Sequence, residues 1–489
     1  MLKPDFIQQT KRLLHDEFES FEAALKTKPP TSIRINPRKY EFVHDVGNAT
    51  NMDDGSSFDW QRSTALAHIP WCKTGYYLPK RPSFTYDPLF HAGAYYVQEA
   101  SSMFIEQAIQ TILADQNFSK TSLTTLDLCA APGGKSTHLL TLLPDNSLLV
   151  SNEIIYNRSL ILSENITKWG VVNSIITQND PKDFGHLPHF FDVIVADLPC
   201  SGEGLFRKNP DAQNEWSAEK VKFCASRQRR IIHDVWNALK PGGYLIYSTC
   251  TFNTEENEDN VELLACELGA ELVPIPIKPE WNISGALNNE LPVYRFFPHR
   301  TCGEGFFLAL FRKSGQLQYS SSQLSASKSP LPASYPVESS IKNMLLDNEK
   351  FIYRNIRPKT KASNKREVSY DALYAIPKIH ANAFTNLSSC LHIIKACLML
   401  GELRGNDFVP SPSLSLSTEL NKHAFPSIAL SREQAIIYLK RELIDLTTDT
   451  PKGYLLVTYR NIPLGFVKNT GHRANNLYPI EWRIRFSPT

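Results

Sequence analysis

From about Gln98 to Phe311 the chain alternates short apolar runs with longer stretches whose apolar residues recur every three or four positions. Continuous apolar runs fit buried strands, and the three-four spacing fits helices with one buried face. Alternating strand and helix units imply a parallel sheet covered on both sides. This reading places strands at 125–128, 148–151, 174–177, 191–196 and 243–247, and helices at 100–113, 134–143, 157–169 and 218–239. The run 305–311 reads as an edge strand.

In an open parallel sheet the ligand crevice lies beyond the carboxyl ends of the strands. Two of these strands run directly into a cysteine there. One leads into Asp197-Leu198-Pro199-Cys200-Ser201-Gly202-Glu203-Gly204, the other into Ser248-Thr249-Cys250-Thr251. A third strand opens into Cys129-Ala130-Ala131-Pro132-Gly133-Gly134-Lys135. Its glycines allow close backbone approach, and the helix that follows offers free N–H groups to an anion. The loop is neither Gly-x-Gly-x-x-Gly nor a phosphate-binding lysine loop, so a small carboxylate suits it better than a pyrophosphate. Glu153 ends the next strand, where an acid grips ribose hydroxyls. Asp180 follows the third strand, where it can accept from an adenine amine. A carboxylate, a ribose and an adenine together describe S-adenosylmethionine.

Beside a methyl donor, two thiols and an acid suit methylation of cytosine at C5. That carbon is a poor nucleophile until a thiolate adds to C6. The chemistry needs an attacking cysteine, an acid near N3 and the exocyclic amine, and a group that assists elimination. Cys200, Cys250 and Asp197 fill these roles, and spacing leaves open which cysteine attacks. A free cysteine is otherwise most often a small buried hydrophobe. That is the expectation for Cys72, Cys224, Cys266, Cys302, Cys390 and Cys397.

At 489 residues several domains are expected, and a net charge of only +2 says nothing about partners. Charge is uneven, however: 205–230 carries an excess of +4 and 451–489 an excess of +5. Such patches can track phosphates, and Phe206, beside Arg207 and Lys208, can either stack on a displaced base or join a core. None of the nine cysteines forms a Cys-x(2–4)-Cys pair, which argues against a zinc site or a disulfide framework. No apolar run approaches a membrane span. A reducing cytoplasm is the expected home. The first residues (Phe6, Leu13, Leu14, Phe18, Phe21, Leu25) read as amphipathic helices, followed by a strand at 32–36. Residues 314–340 hold ten serines and three prolines and read as a linker. A basic stretch from Arg354 to Arg366 follows, and Ser431-Arg432-Glu433-Gln434 reads as a capping box opening a helix.

The chain resembles the Nop2/Sun family of RNA cytosine-5 methyltransferases, in its bacterial small-subunit rRNA branch of the RsmF (YebU) type. The resemblance spans roughly residues 30–313. It rests on Ser32-Ile33-Arg34-Ile35-Asn36, on Gly93 to Met103, on the 129–135 loop and on both cysteine motifs. It continues in Pro298-His299-Arg300-Thr301-Cys302-Gly303-Glu304-Gly305-Phe306-Phe307. It implies a doubly wound Rossmann-like class I methyltransferase domain at 96–313, preceded by an α+β RNA-contacting domain at 1–95. It assigns attack to Cys250 and assisted release to Cys200, with cofactor contacts at Cys129, Ala130, Ala131, Pro132, Gly133, Gly134, Lys135, Glu153, Asp180 and Asp197. More loosely, Tyr454 to Arg485 resembles a PUA-like RNA-binding tail, placed at 426–489, with 341–425 a linking region. The implied substrate is 16S rRNA or the small ribosomal subunit, and the implied state a cytoplasmic monomer without metal. tRNA methylation, or an assembly factor with dispensable catalysis, are the alternatives.

Overall fold

The computed structural model describes residues 2–40, 66–116, 122–315, 333–356, 371–405 and 407–485. Its centre is a nine-stranded sheet of β1 (Thr124–Asp127), β2 (Leu148–Asn152), β3 (Ser174–Thr177), β4 (Phe191–Asp197), β5 (Leu239–Thr249), β6 (Glu271–Leu272), β7 (Val293–Phe296), β8 (Phe306–Arg312) and β9 (Ile393–Ala396). The order is β7-β8-β5-β4-β1-β2-β3-β9, with β6 pairing β8. Strands β1 to β5 run parallel, while β7, β8 and β9 add antiparallel.

Alternation along each strand builds two cores. In β4, Val193 and Val195 face one side, against helices Ile105–Ala114, Gly134–Leu142 and Tyr156–Trp169. Ile194 and Ala196 face the other, against Ile231, Ile232 and Val235 of helix Ala218–Trp236. Each of these buried valines and isoleucines contributes about 1.5–3 kcal/mol. The chain steps outward from β1 through β2 to β3, then returns to β4 on the other side of β1. This reversal opens the crevice between β1 and β4.

Two expectations fail at the sheet's ends. Phe306–Arg312 is not an edge, because the unrecognised tetrad Val293–Phe296 pairs outside it. At the opposite end β9 comes from residues expected only to link. That region is folded. Phe351–Ile356, Asp371–Pro377, Leu398–Arg404 and Asp407–Pro410 form an antiparallel four-stranded sheet around Tyr353, Leu373, Ala375 and Leu400. Its apolar runs are short and are separated by the basic stretch, so no single period marks them. Most of that stretch (357–370), and the linker between 316 and 332, lie outside the described residues.

Helices Pro4–Leu14 and Phe18–Leu25 bury Phe6, Leu14 and Phe21 against Phe206, Trp216, Phe252 and Phe297, behind the cysteine motifs. Phe206 is thus a core residue, edge-on to Phe6 at 5.0 Å, and is not free to stack on a base. Strand Thr31–Ile35 is the middle of a three-stranded antiparallel sheet with Gly75–Leu78 and Tyr95–Val97. Arg34 on it lies over the Trp169 ring at 4.5 Å and donates to Thr137 Oγ1 at 2.6 Å. Beneath the same sheet Cys72, Glu106 and His138 form a buried cluster, with His138 Nε2 3.1 Å from Glu106 Oε2. Burial pulls His138 down to about 4, so the ring is neutral and donates to the carboxylate.

The C-terminal region is a four-stranded sheet of Ser427–Ala429, Gly453–Tyr459, Ile462–Asn469 and Ala474–Asn476, with helix Arg432–Leu439. The capping box forms as expected, Ser431 and Gln434 bonding reciprocally. This region does not hang on a tether alone. Leu430, Tyr438, Leu464 and Tyr478 share one core with Ile33, Leu78, Leu89 and Tyr95 of the N-terminal sheet.

Candidate active site

Strands β4 and β5 are parallel neighbours with Asp197 opposite Ser248, so the two cysteine loops leave the same end of the sheet. Cys200 Sγ and Cys250 Sγ lie 3.1 Å apart. Contact with Cys250, then burial, pushes the Cys200 thiol well above its ordinary range. Gly204 lets the loops meet. Its N–H donates to the Cys250 carbonyl at 2.9 Å, and a Cβ there would sit 2.7 Å from the Gly305 carbonyl oxygen.

Asp197, the last residue of β4, joins the thiols to the 129–135 loop. Its Oδ1 accepts from Ser248 Oγ at 2.8 Å, and its Oδ2 lies 2.8 Å from Lys135 Nζ. Burial alone would lower the Lys135 ammonium, but Asp197 outweighs it and raises it. The loop itself is fastened by Ala130 N–H to the Asn152 carbonyl, Arg158 to the Ala131 carbonyl and Asn165 to the Pro132 carbonyl. Gly133 takes φ +113°, a left-handed conformation open to glycine, and from there the chain enters helix Gly134–Leu142.

A cavity of about 190 Å³ is lined by Cys129, Ala130, Ala131, Pro132, Gly134, Lys135 and Asp197, joined by Tyr96, Gln98, Glu99 and Asp127. Gly133, Glu153 and Asp180 stand outside this lining. Glu153 is buried next to the loop, where its carboxylate accepts the Ile155 N–H at 3.0 Å and lies 3.4 Å from Arg158. Asp180 caps the short turn Pro181–His186, accepting from the Lys182 N–H at 3.1 Å. Burial pushes Asp127 up to about 7, and its Oδ1 has no hydrogen-bond partner. An orphaned acidic oxygen, a helix N-terminus and a left-handed glycine in one small cleft fit a zwitterionic cosubstrate. Burial pushes the Cys129 thiol up. A larger cavity of about 370 Å³, beside Asp145, Lys350 and His380, holds none of these residues.

The sequence reading missed Tyr96, Gln98, Glu99 and Asp127 as lining residues. The first three lie in the Gly93 to Met103 motif and Asp127 stands two positions before Cys129, so the signal was present without a role. It also missed two buried carboxylates behind the thiols, Glu203 and Glu256. Of the other cysteines, Cys72, Cys224 and Cys397 are buried as expected, whereas Cys266, Cys302 and Cys390 are exposed. Arg207 is removed from the basic patch. It is buried against Glu304, 3.0 Å away, and donates to the Gly303 carbonyl at 2.6 Å. Lys208, Lys222, Arg230, Arg460, Arg473, Arg483 and Arg485 remain exposed.

Three family models match: 16S rRNA methyltransferase RsmB/F over residues 111–312, the N-terminal domain of 16S rRNA methyltransferase RsmF over 2–100, and the methyltransferase RsmF PUA domain over 425–484. A ribosomal RNA small subunit methyltransferase F from Aliivibrio fischeri is 32% identical, covering 98% of this chain and 97% of its own length. One from Cronobacter sakazakii is 29% identical, covering 95% and 92%. Among solved structures, a methyltransferase homolog protein from Pyrococcus horikoshii is 28% identical with a TM-score of 0.51, covering 63% of this chain and 94% of its own. NSun6 from the same organism, solved with the S-adenosylmethionine analogue SFG, shares the fold at 21% identity and a TM-score of 0.51, covering 64% and 98%. A relative of this identity, aligned over nearly both whole chains, places the protein in the family of ribosomal RNA small subunit methyltransferases F, which take their methyl group from S-adenosylmethionine.

Proposed function

We propose that the protein transfers the methyl group of S-adenosylmethionine to C5 of a cytidine in 16S rRNA, in the bacterial cytoplasm, through a covalent bond between Cys250 and cytosine C6. The observation that carries this reading is the pair of thiols 3.1 Å apart beside the Asp197–Lys135 ion pair. S-adenosylmethionine supplies an electrophilic methyl group. The protein does the rest. Cys250, as thiolate, forms the bond to C6, while Asp197 stands at N3 and the exocyclic amine. Asp197 relays a proton from solvent to N3, and Cys200, a thiol at rest, loses its proton to solvent once the adduct has formed. C5, now enamine-like, accepts the methyl group. The C5 proton then passes to Cys200, the C5–C6 double bond re-forms, and the C6–S bond breaks to return the Cys250 thiolate. The extra proton on N3 leaves to solvent.

The cofactor contacts proposed are the 129–135 loop for the carboxylate end, Glu153 for the ribose and Asp180 for the adenine amine. Residues 1–95 and 426–489 are proposed to contact RNA, the exposed arginines of the tail meeting phosphates. The test is nucleoside analysis of small-subunit rRNA and of tRNA, each after incubation with enzyme and methyl-labelled S-adenosylmethionine. Label in 5-methylcytidine is expected. Label in any other nucleoside, or in tRNA alone, would overturn the assignment.

A further inference from the structure

The two cysteine loops hold each other through a reciprocal pair of buried carboxylates. Glu203, three residues after Cys200, accepts the backbone N–H groups of Phe252 (2.8 Å) and Asn253 (2.9 Å), just after Cys250. Glu256, six residues after Cys250, accepts the backbone N–H of Ser201 at 3.0 Å, next to Cys200. The Asn253 amide bridges the two acids, donating to Glu203 Oε1 at 3.1 Å and Glu256 Oε1 at 2.9 Å. Ser201 Oγ and Thr251 Oγ1 close the contact at 2.8 Å. Arg295, paired with Glu258, grips the other side of the same backbone, donating to the Phe252 carbonyl at 2.7 Å.

Both carboxylates are fully buried. An isolated buried charge is costly, and a hydrophobic contact would hold two loops together with less penalty. Charge-assisted bonds to backbone N–H groups offer what a hydrophobic contact does not, namely a fixed direction and distance. They are spent here on the residues flanking each thiol.

We propose that Glu203 and Glu256, bridged by Asn253, are positioning residues that set the separation of the two thiols, so that release by Cys200 follows attack by Cys250. This rests on the thiol roles proposed above. Loosening the clasp leaves Cys250 able to attack, because attack needs one thiol. It impairs release, because release needs Cys200 aligned on the adduct that Cys250 has made.

The test uses full-length Glu256→Gln and Asn253→Ala. The second is a small truncation and serves if the first does not fold. Two quantities are read. The first is the rate at which diamide joins Cys200 to Cys250, two thiols losing two protons and two electrons to the reagent, scored as a linked peptide by mass spectrometry. It is expected to fall at least fivefold, whatever the thiols do in catalysis. The second is turnover on rRNA. A fall of kcat by tenfold or more is expected with KM for RNA and affinity for S-adenosylmethionine unchanged, and with a covalent protein–RNA adduct accumulating. An unchanged crosslinking rate would overturn the proposal. So would activity lost in step with melting temperature and without adduct. If Cys200→Ala, run alongside, gave no adduct, the roles of the thiols would fall, and the crosslinking rate would still decide what the clasp does.

Discussion

The 129–135 loop, proposed to hold the cofactor, takes its shape from its immediate neighbours: a strand end, a left-handed Gly133, a helix start, and side chains from the next βα unit. The thiol loops are held to each other by groups about 50 residues apart in sequence, over a shelf of N-terminal helices. A local turn is specified by its own residues. A long-range clasp exists only when the whole sheet has formed. The cofactor half should therefore tolerate damage to the thiol half, while the thiol half should be sensitive to changes far from it.

Cys250→Ala gives the largest expected separation of the two halves. Methyl transfer should fall by at least about 10³-fold, since the nucleophile is gone. Calorimetry should find S-adenosylmethionine bound as in the parent. A parallel loss of cofactor affinity would erase the distinction.

Asp127 tests the cofactor half by pH. Burial raises its folded pKa from 3.8 to about 7, so the fold favours the protonated form. The sign follows: below pH 4 the group is neutral in both states, and between pH 4 and 7 stability is lost as only the unfolded chain ionises. Asp127→Asn should therefore be more stable than the parent at pH 8, by at most about 4 kcal/mol. The gap should close as pH falls toward 4. A gap independent of pH would show that Asp127 ionises normally.

Glu153→Ala should weaken S-adenosylmethionine binding by about 1.5–3 kcal/mol through lost charge-assisted bonds to the ribose. At saturating cofactor its kcat should match the parent. Unchanged affinity in a folded variant would remove Glu153 from the site.

Asp180→Ala should act least. Its carboxylate already caps Pro181–His186, so about 1 kcal/mol of stability is expected to go, with a smaller loss of cofactor affinity than at Glu153. A larger loss than at Glu153 would invert the ranking and make the adenine contact the stronger hold.

Legibility in the sequence follows the same division. The parallel strands and their helices were readable because each is a continuous run with its own period; 174–177 matches β3 end to end. The 129–135 loop, Asp197 and both cysteines were readable because each ends such a run. Val293–Phe296 and Ile393–Ala396 were not, because Arg295 and Lys395 interrupt their apolar runs and only pairing with strands already in the sheet makes them strands. The order of the thiols was equally closed to spacing, since both end equivalent strands. Nothing in the sequence assigned a role to Glu203 or Glu256, and only the assembled loops bury them.

The central claim is that Cys250 attacks and Cys200 releases, and trapping on rRNA tests it most directly. Cys200→Ala, Cys250→Ala and the double variant are each incubated with rRNA and S-adenosylmethionine, then run on a denaturing gel. Cys200→Ala should leave a methylated protein–RNA adduct that survives denaturation, while Cys250→Ala and the double variant leave none. An adduct in Cys250→Ala and none in Cys200→Ala would contradict the assignment and exchange the roles of the two thiols.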